Sequence, residues 1–165
     1  MKLFSKVPFM VLLVVLSLFS CSKDSFDDGV DALEMNLVET EAKTIELEIL
    51  ELINEHRQSL GLSTLDDMSV VKSVAYSHTD YMVDNDIVSH DNFYTRSNYL
   101  KSNLGAKKVS ENVAYGYSTA EGVVNAWIKS TNHKINLEGD YTNFDISAEK
   151  NKDGRWYFTN IFIKK

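Results

Sequence analysis

The chain has 165 residues, with 17 Lys and Arg against 24 Asp and Glu and a formal net charge of −7. This balance argues against nucleic acid as a partner, because neutralising phosphates requires clustered Lys and Arg. It also argues against direct adhesion to anionic lipid headgroups, since no basic surface is available for it.

The first 20 residues have the pattern of a secretory signal. Lys2 and Lys6 precede an apolar run over residues 7–19, which is too short to span a membrane stably. The run ends in Leu18-Phe-Ser-Cys21, which is similar to a lipobox, and the absence of a second cysteine rules out an intramolecular disulfide. We therefore predict a lipoprotein signal peptide over residues 1–20 and a diacylated Cys21 that attaches the protein to the membrane. An ordinary signal peptide with an incidental cysteine is the alternative.

An acidic stretch follows the cysteine, beginning Ser22-Lys-Asp-Ser-Phe-Asp-Asp28. Residues 21–39 lack a clean apolar period and are interpreted as a tether. The stretch resembles the signal that sends some lipoproteins to the cell surface, although any anchored domain needs a solvated tether. The predicted location is the cell envelope, in the outer membrane, with a surface-facing orientation left open.

Two amphipathic helices begin the folded part, which we assign to residues 40–165. Apolar residues at helical spacing predict one buried face from Ile45 to Leu60, with Gly61 at a left-handed C-cap. A second helix is predicted over residues 67–83. His56 and His78 lie on the two apolar stripes, so both are expected to be hydrogen-bonded structural side chains.

The later elements are shorter. The pattern predicts a short helix over residues 97–104, a strand over residues 109–115, and a helix from the capping box Ser118-Thr-Ala-Glu121 to about Ser130. Two alternating runs, over residues 141–148 and 156–163, are joined as a hairpin by Asn151-Lys-Asp-Gly154. Helices followed by a sheet indicate the α+β class, and apolar residues on both faces of the last runs indicate a sheet covered on both sides.

Five short motifs occur in a fixed order: Tyr76-Ser-His-Thr-Asp-Tyr-Met82, Val88-Ser-His90, Ser110-Glu-Asn112, Trp127-Ile-Lys-Ser-Thr-Asn-His133 and Trp156-Tyr-Phe-Thr-Asn-Ile-Phe162. Together they resemble the CAP superfamily of secreted cysteine-rich, venom-allergen and pathogenesis-related proteins, in its bacterial SCP-like form. The resemblance covers about residues 40–163. It implies a three-layer α-β-α sandwich with a small, mainly antiparallel sheet.

The resemblance also implies a polar cleft. The cavity histidine and glutamate of CAP domains match His90 and Glu111, and the histidine that the bacterial branch adds matches His133. We place His90 and His133 in turn-like positions after helices. Ser130 and Tyr157 occupy the positions of the second glutamate and second histidine of animal and plant members, so the expected cleft has five residues but an incomplete tetrad.

Two imidazoles and a carboxylate can do chemistry of two kinds. They can hold a divalent ion such as zinc with an open water position, with His90 and His133 as the expected ligands, or they can act as an acid and base pair. No GxSxG elbow supports a serine nucleophile, and Ser89 and Ser130 have a structural role available as turn or cap residues. No catalytic residue is assigned beyond the candidates His90, Glu111 and His133.

We therefore expect a binding module rather than an enzyme, with a cleft that captures a small molecule, a lipid or a peptide. The alternatives are a metal-assisted hydrolase of peptide or cell-envelope material, which would use His90, Glu111 and His133, and a purely adhesive surface protein. Nearby tyrosines and asparagines suggest either a recognition rim or an ordinary surface: Asn92, Tyr94, Tyr99, Asn112, Tyr115 and Tyr117.

Overall fold

The computed structural model describes residue 35 and residues 37–165. The predicted signal peptide, Cys21 and most of the predicted tether lie outside the described residues. Within the described part of the chain, no helix is both long and apolar enough to cross a membrane.

The described residues form helices and strands in the order α1 (Thr44–Ser59), β1 (Asp66–Asp67), α2 (Ser69–Asn85), α3 (Phe93–Leu104), β2 (Lys108–Tyr115), α4 (Ala120–Lys129), α5 (Thr131–Leu137), β3 (Asn143–Lys150) and β4 (Trp156–Lys164). The strands make one sheet in the order β1-β3-β4-β2. Strand β1 is parallel to β3, and the other two pairings are antiparallel. The α+β class and the small, mainly antiparallel sheet are therefore confirmed.

Helices cover both faces of this sheet. Side chains alternate between the faces of a strand, so Phe158 and Phe162 pack against α1 and α4 while Ile161 and Ile163 pack against α2 and α3. The buried residues Ile49 of α1 and Trp127 of α4 belong to the helical layer that packs against Phe158 and Phe162. The three-layer sandwich expected from the sequence is confirmed.

The strongest periodic patterns predicted the correct elements. The apolar stripe of the second helix, from Val71 to Met82, is buried throughout. Gly61 has a φ of 73° directly after the end of α1, as its predicted capping place requires. The hairpin turn also forms as predicted, with Gly154 at a φ of 76° and its amide donating to the carbonyl of Asn151.

The start of the second helix differs from the prediction. Residues Asp66 and Asp67 form β1 instead of a first helical turn, because the Asp66 amide donates to the Thr142 carbonyl beside β3. Met68 is then the N-cap of α2, with extended backbone angles. A tertiary hydrogen bond has overridden the local preference of these residues.

Two helix boundaries and one additional helix after β1 also differ from the prediction. Helix α3 begins at Phe93, four residues earlier than predicted, and its N-cap Asn92 has a φ of 58°. Helix α4 is capped by Thr119 rather than by Ser118, since the Thr119 hydroxyl accepts the Gly122 amide at 3.1 Å. Helix α5 was not predicted, and it places His133 inside a helix rather than in a turn.

A buried ion pair joins α1, α2 and β3. The carboxylate of Glu46 accepts hydrogen bonds from Lys72 Nζ at 2.5 Å, from the Ala148 amide at 2.8 Å and from the Lys43 amide at 2.7 Å. Glu46 and Lys72 are both buried. Each charge is acceptable there only because the other one and these hydrogen bonds accompany it.

We predict that Glu46→Gln lowers the free energy of unfolding by about 3–5 kcal/mol, because the substitution leaves the Lys72 ammonium buried without its carboxylate. Chemical denaturation followed by circular dichroism measures the change. Glu48→Gln makes the same chemical change at an exposed position of α1, and its effect should stay within about 0.5 kcal/mol. Equal effects of the two substitutions would contradict the role given to Glu46.

Candidate functional site

Glu111 is the centre of the candidate site. It lies on β2, the strand at one end of the sheet order, and its side chain is only 1% exposed. Two parallel hydrogen bonds fix its carboxylate, from Arg96 Nε to Oε2 and from Arg96 Nη2 to Oε1, both at 2.8 Å. This fork-to-fork arrangement is the strongest geometry available to a carboxylate and a guanidinium.

Arg96 is itself anchored to the loop that carries His90. Its Nη1 donates to the Asp91 carbonyl at 2.6 Å, and its side chain is buried in the first turns of α3. The guanidinium therefore joins the edge strand to the loop between α2 and α3. This link also explains why α3 begins earlier than its apolar pattern indicates.

His90 completes the carboxylate's contacts. Its Nδ1 lies 2.8 Å from Glu111 Oε1, and its side chain is 52% exposed. Burial raises the pKa of Glu111, but the hydrogen bonds from His90 and Arg96 outweigh this and hold the pKa below its usual value. Because an ionised carboxylate only accepts hydrogen bonds, Nδ1 is the donor, and Nε2 of a neutral His90 is left as an acceptor.

His78 supports the loop between α2 and α3, which carries His90. Its buried ring lies against Glu111, with Nε2 3.9 Å from Oε1, and the same nitrogen is 2.8 Å from the Ser89 carbonyl. Burial lowers the pKa of His78, so the neutral ring donates to that carbonyl near pH 7. His78 thus holds the backbone next to His90, as its place on the core stripe suggested, and His56 is likewise bonded, to Glu138 at 2.9 Å.

His133 is positioned through asparagines on the other face of the sheet. Asn112 is fully buried and donates to the His133 carbonyl at 3.1 Å, and Asn136 donates to Asn112 Oδ1 at 2.8 Å. Burial lowers the pKa of His133, and the charge of His90 lowers it further. Asn112 and Asn136 therefore fix the backbone at His133 on the face of β2 opposite to Glu111.

A pocket of about 300 Å³ lies beside His133, and its walls include Val113, Tyr115, Tyr117, Trp127 and Ser130. Ser130 and His133 thus lie where a ligand could contact them. Tyr157, which was expected in the cleft, is 1% exposed, and its hydroxyl donates to Asp86 at 2.7 Å. Its ring packs 4.5 Å from that of Tyr115, behind the pocket wall.

The donor set fits a metal ion poorly. Among the described residues, no group of three or more His, Cys, Asp and Glu is arranged to hold one. Both oxygens of Glu111 already accept hydrogen bonds from Arg96, which leaves His90 and His133 as a pair of imidazoles without a carboxylate. Zinc sites normally take at least three protein ligands.

Arg96 is the residue that the sequence interpretation missed. The available signal was its position four residues before Leu100, on the face of α3 that proved to be buried. A cation on the apolar side of a short helix indicates a buried anionic partner. That partner is Glu111.

The cysteine-rich secretory protein family model, CAP, matches residues 50–162. The uncharacterized membrane protein YlbC of Bacillus subtilis is 31% identical over 74% of this chain, and the uncharacterized protein YkwD of the same bacterium is 30% identical over 56%. The chain spans 35% and 37% of the length of these two relatives.

Solved structures share the fold. An outer surface protein from Borrelia burgdorferi has a TM-score of 0.68 and 24% identity, over 78% of this chain and 98% of that one. An extracellular protein containing an SCP domain, from Bacillus anthracis, has a TM-score of 0.62 and 26% identity, over 73% of this chain and 40% of that one.

We predict that Arg96→Gln lowers the free energy of unfolding by about 3–5 kcal/mol, because Glu111 would stay buried without its counter-charge. Denaturant unfolding measures this change. Lys101→Gln removes an exposed cation from the same helix and should cost less than about 0.5 kcal/mol. An Arg96→Gln protein as stable as the parent would show that the ion pair does not support the site.

The neutral state of His78 predicts a pH dependence of stability. Its pKa is lowered by burial from an ordinary value of about 6.5, so the unfolded chain binds more protons than the folded one below about pH 6.5. His78 therefore contributes less to the free energy of unfolding as the pH falls from 7.5 to 5, and His78→Gln should reduce the slope of the free energy of unfolding against pH. Since the pKa of His133 is also lowered, the comparison is made in a His133→Gln background. An unchanged slope would contradict a neutral, buried His78.

Proposed function

The chain belongs to the CAP, or cysteine-rich secretory protein, family, and on that premise we propose that it is a lipid-anchored extracytoplasmic binding module. Its cleft, formed around His90, Glu111 and His133, captures a small molecule, a lipid or a peptide. The anchor is the diacylated Cys21 predicted from the sequence.

The observation that supports this proposal is that both oxygens of the Glu111 carboxylate already accept hydrogen bonds. The carboxylate accepts two hydrogen bonds from Arg96 and one from His90, and its pKa lies below the usual value. A general base works best with a pKa near the operating pH, which requires the opposite shift. Glu111 is suited to orienting His90 rather than to transferring protons or binding a metal.

The walls of the pocket favour an amphipathic ligand. Tyr115 and Tyr117 offer flat rings with a polar hydroxyl, and His133 adds an imidazole whose lowered pKa favours its neutral form near pH 7. A volume of about 300 Å³ is at the small end of ligand pockets. A small molecule, a lipid headgroup or one or two residues of a peptide would fit this space.

One observation favours the second candidate, a metal-assisted hydrolase acting on peptide or cell-envelope material. The bond between Glu111 and His90 Nδ1 orients the imidazole with Nε2 free, as a carboxylate does for a histidine that ligates a metal or accepts a proton. The hydrolase would still require a third metal ligand. We therefore place it second.

The cellular location is proposed on two grounds. Among the relatives, YlbC is called a membrane protein, and two of the similar structures are an outer surface protein and an extracellular protein. The N-terminal pattern of a lipoprotein is consistent with both descriptions. We propose that the domain faces the outside of the cytoplasm, in the cell envelope, and is held there by the lipid on Cys21.

We predict that zinc does not bind stoichiometrically at neutral pH to the chain from about residue 30 onward. Metal analysis and a zinc titration test this, beside His90→Ala and His133→Ala. Stoichiometric zinc that is lost in both variants would overturn the prediction and favour the hydrolase. A ligand screen with lipids and peptides then tests the binding module directly.

In that screen, Tyr117→Ala should weaken binding of a captured ligand as much as His133→Ala does, by about tenfold for one lost hydrogen-bonded or stacked contact. Tyr94→Ala is the matched control, since Tyr94 is 78% exposed and is not part of the pocket wall. A ligand that responds equally to all three substitutions would not occupy this cleft.

A further inference from the structure

We propose a second binding site, at the C-terminal end of α1, for the ionised α-carboxylate and α-amino groups of a free amino acid or a short peptide. This inference is independent of the proposed function. None of the residues that line this second site lines the pocket beside His133.

The site is a cavity of about 460 Å³, larger than the pocket beside His133. Its walls come from the end of α1, the start of β1, the turn after α5 and the end of β4. The residues that matter for the argument are Arg57, Asp66, Glu138, Asp140 and Lys164. Ligand pockets commonly have volumes of about 300–1,000 Å³, and the lower part of that range suits an amino acid or a dipeptide.

Arg57 is the buried cation of this cavity. It is only 3% exposed, and three backbone carbonyls fix the plane of its guanidinium: Nε donates to Ser63 at 2.8 Å, and Nη1 donates to Leu137 at 2.7 Å and to Gly139 at 2.9 Å. Among the described residues, no carboxylate oxygen lies within 4.0 Å of this buried cation. Burial lowers the pKa of Arg57, and the more distant charge of Asp140 opposes this shift only in part.

Arg57 lines the cavity, and its remaining nitrogen, Nη2, is the one available to a ligand there. Within the described part of the chain, Nη2 has no hydrogen-bond acceptor, and it is not one of the fully enclosed polar atoms that lack a partner. Its two N–H groups are therefore accessible and oriented by the bonds on the other side of the guanidinium. A carboxylate placed there would form charge-assisted hydrogen bonds in a partly desolvated site.

The other charged groups of the cavity favour a ligand that carries both a positive and a negative charge. Asp140 pairs with Lys164 at 2.6 Å, and Glu138 pairs with His56 at 2.9 Å and with Lys134 at 3.6 Å. Asp66 is exposed, and no cation of the described residues lies within 4.0 Å of it.

Among the described residues, the cavity thus presents one cation that no carboxylate contacts, Arg57, and one anion that no cation contacts, Asp66. A simple anion would meet the repulsion of Asp66, and a simple cation would meet that of Arg57. A zwitterion satisfies both.

The test uses alanyl-alanine as the probe, with the full chain followed by amide chemical shifts in solution. We expect saturable shifts at Gly139 and Thr142. The C-terminal amide and the N-acetylated form of the dipeptide, which each lack one charge, should bind at least about tenfold more weakly. Equal affinity of all three probes, no saturable shift, or the same shifts with inorganic phosphate alone would overturn the proposal.

Asp66→Asn is the informative variant, because Arg57 supports three loop carbonyls and replacing it would disturb the fold as well as the site. The Asp66→Asn substitution should weaken binding of alanyl-alanine by about tenfold and leave binding of the acetylated form unchanged. Asp67→Asn is the matched control at the next position of β1, since Asp67 is also exposed but does not line the cavity. His90→Ala should have no effect, and a loss of dipeptide binding in either control variant would contradict a separate site.

Discussion

The cost of burying the Glu111 carboxylate governs the architecture around the candidate site. An ionised carboxylate is costly to bury without partners, and here α3 brings Arg96 to the strand and the preceding loop brings His90. His78 then holds that loop through the Ser89 carbonyl. The position of the exposed imidazole is therefore a consequence of satisfying one charge beneath it.

The buried charges of Glu46, Glu111 and Arg57 are compensated in three different ways. Glu46 is paired with Lys72 deep between the layers, where both side chains are buried, so this pair is structural. Glu111 is equally enclosed, but it bonds to a histidine that is half exposed, which connects a fixed interior to the surface. Among the described residues, only backbone carbonyls accept hydrogen bonds from Arg57. A buried charge that is paired with an opposite buried charge serves the fold. A buried charge that bonds to an exposed side chain, or that contacts no opposite charge, is a candidate for binding a ligand.

Local patterns predicted the parts of the fold that depend on local physics. The stripe from Val71 to Met82 and the hairpin turn ending at Gly154 are encoded by spacing and by turn chemistry, and both formed. Helix α5 has one buried residue, Leu137, which is too little for a periodic signal. The start of α3 depends on the contact between Arg96 and Glu111, 15 residues apart. Motif resemblance located His90, Glu111 and His133 in sequence, but it could not show that Glu111 is neutralised by an arginine.

Strand β4 is the last element in the chain, yet it lies between β3 and β2 in the sheet. Neither antiparallel pairing of the sheet exists until this strand has been synthesised, and the Glu46 carboxylate bonds to an amide 102 residues further along the chain. Contacts of such long range delay folding until the loops between them close. The domain therefore completes its folding only after β4 has been synthesised. A chain that ended before β4 would lack the partner of both β3 and β2 and could not form the sheet described here.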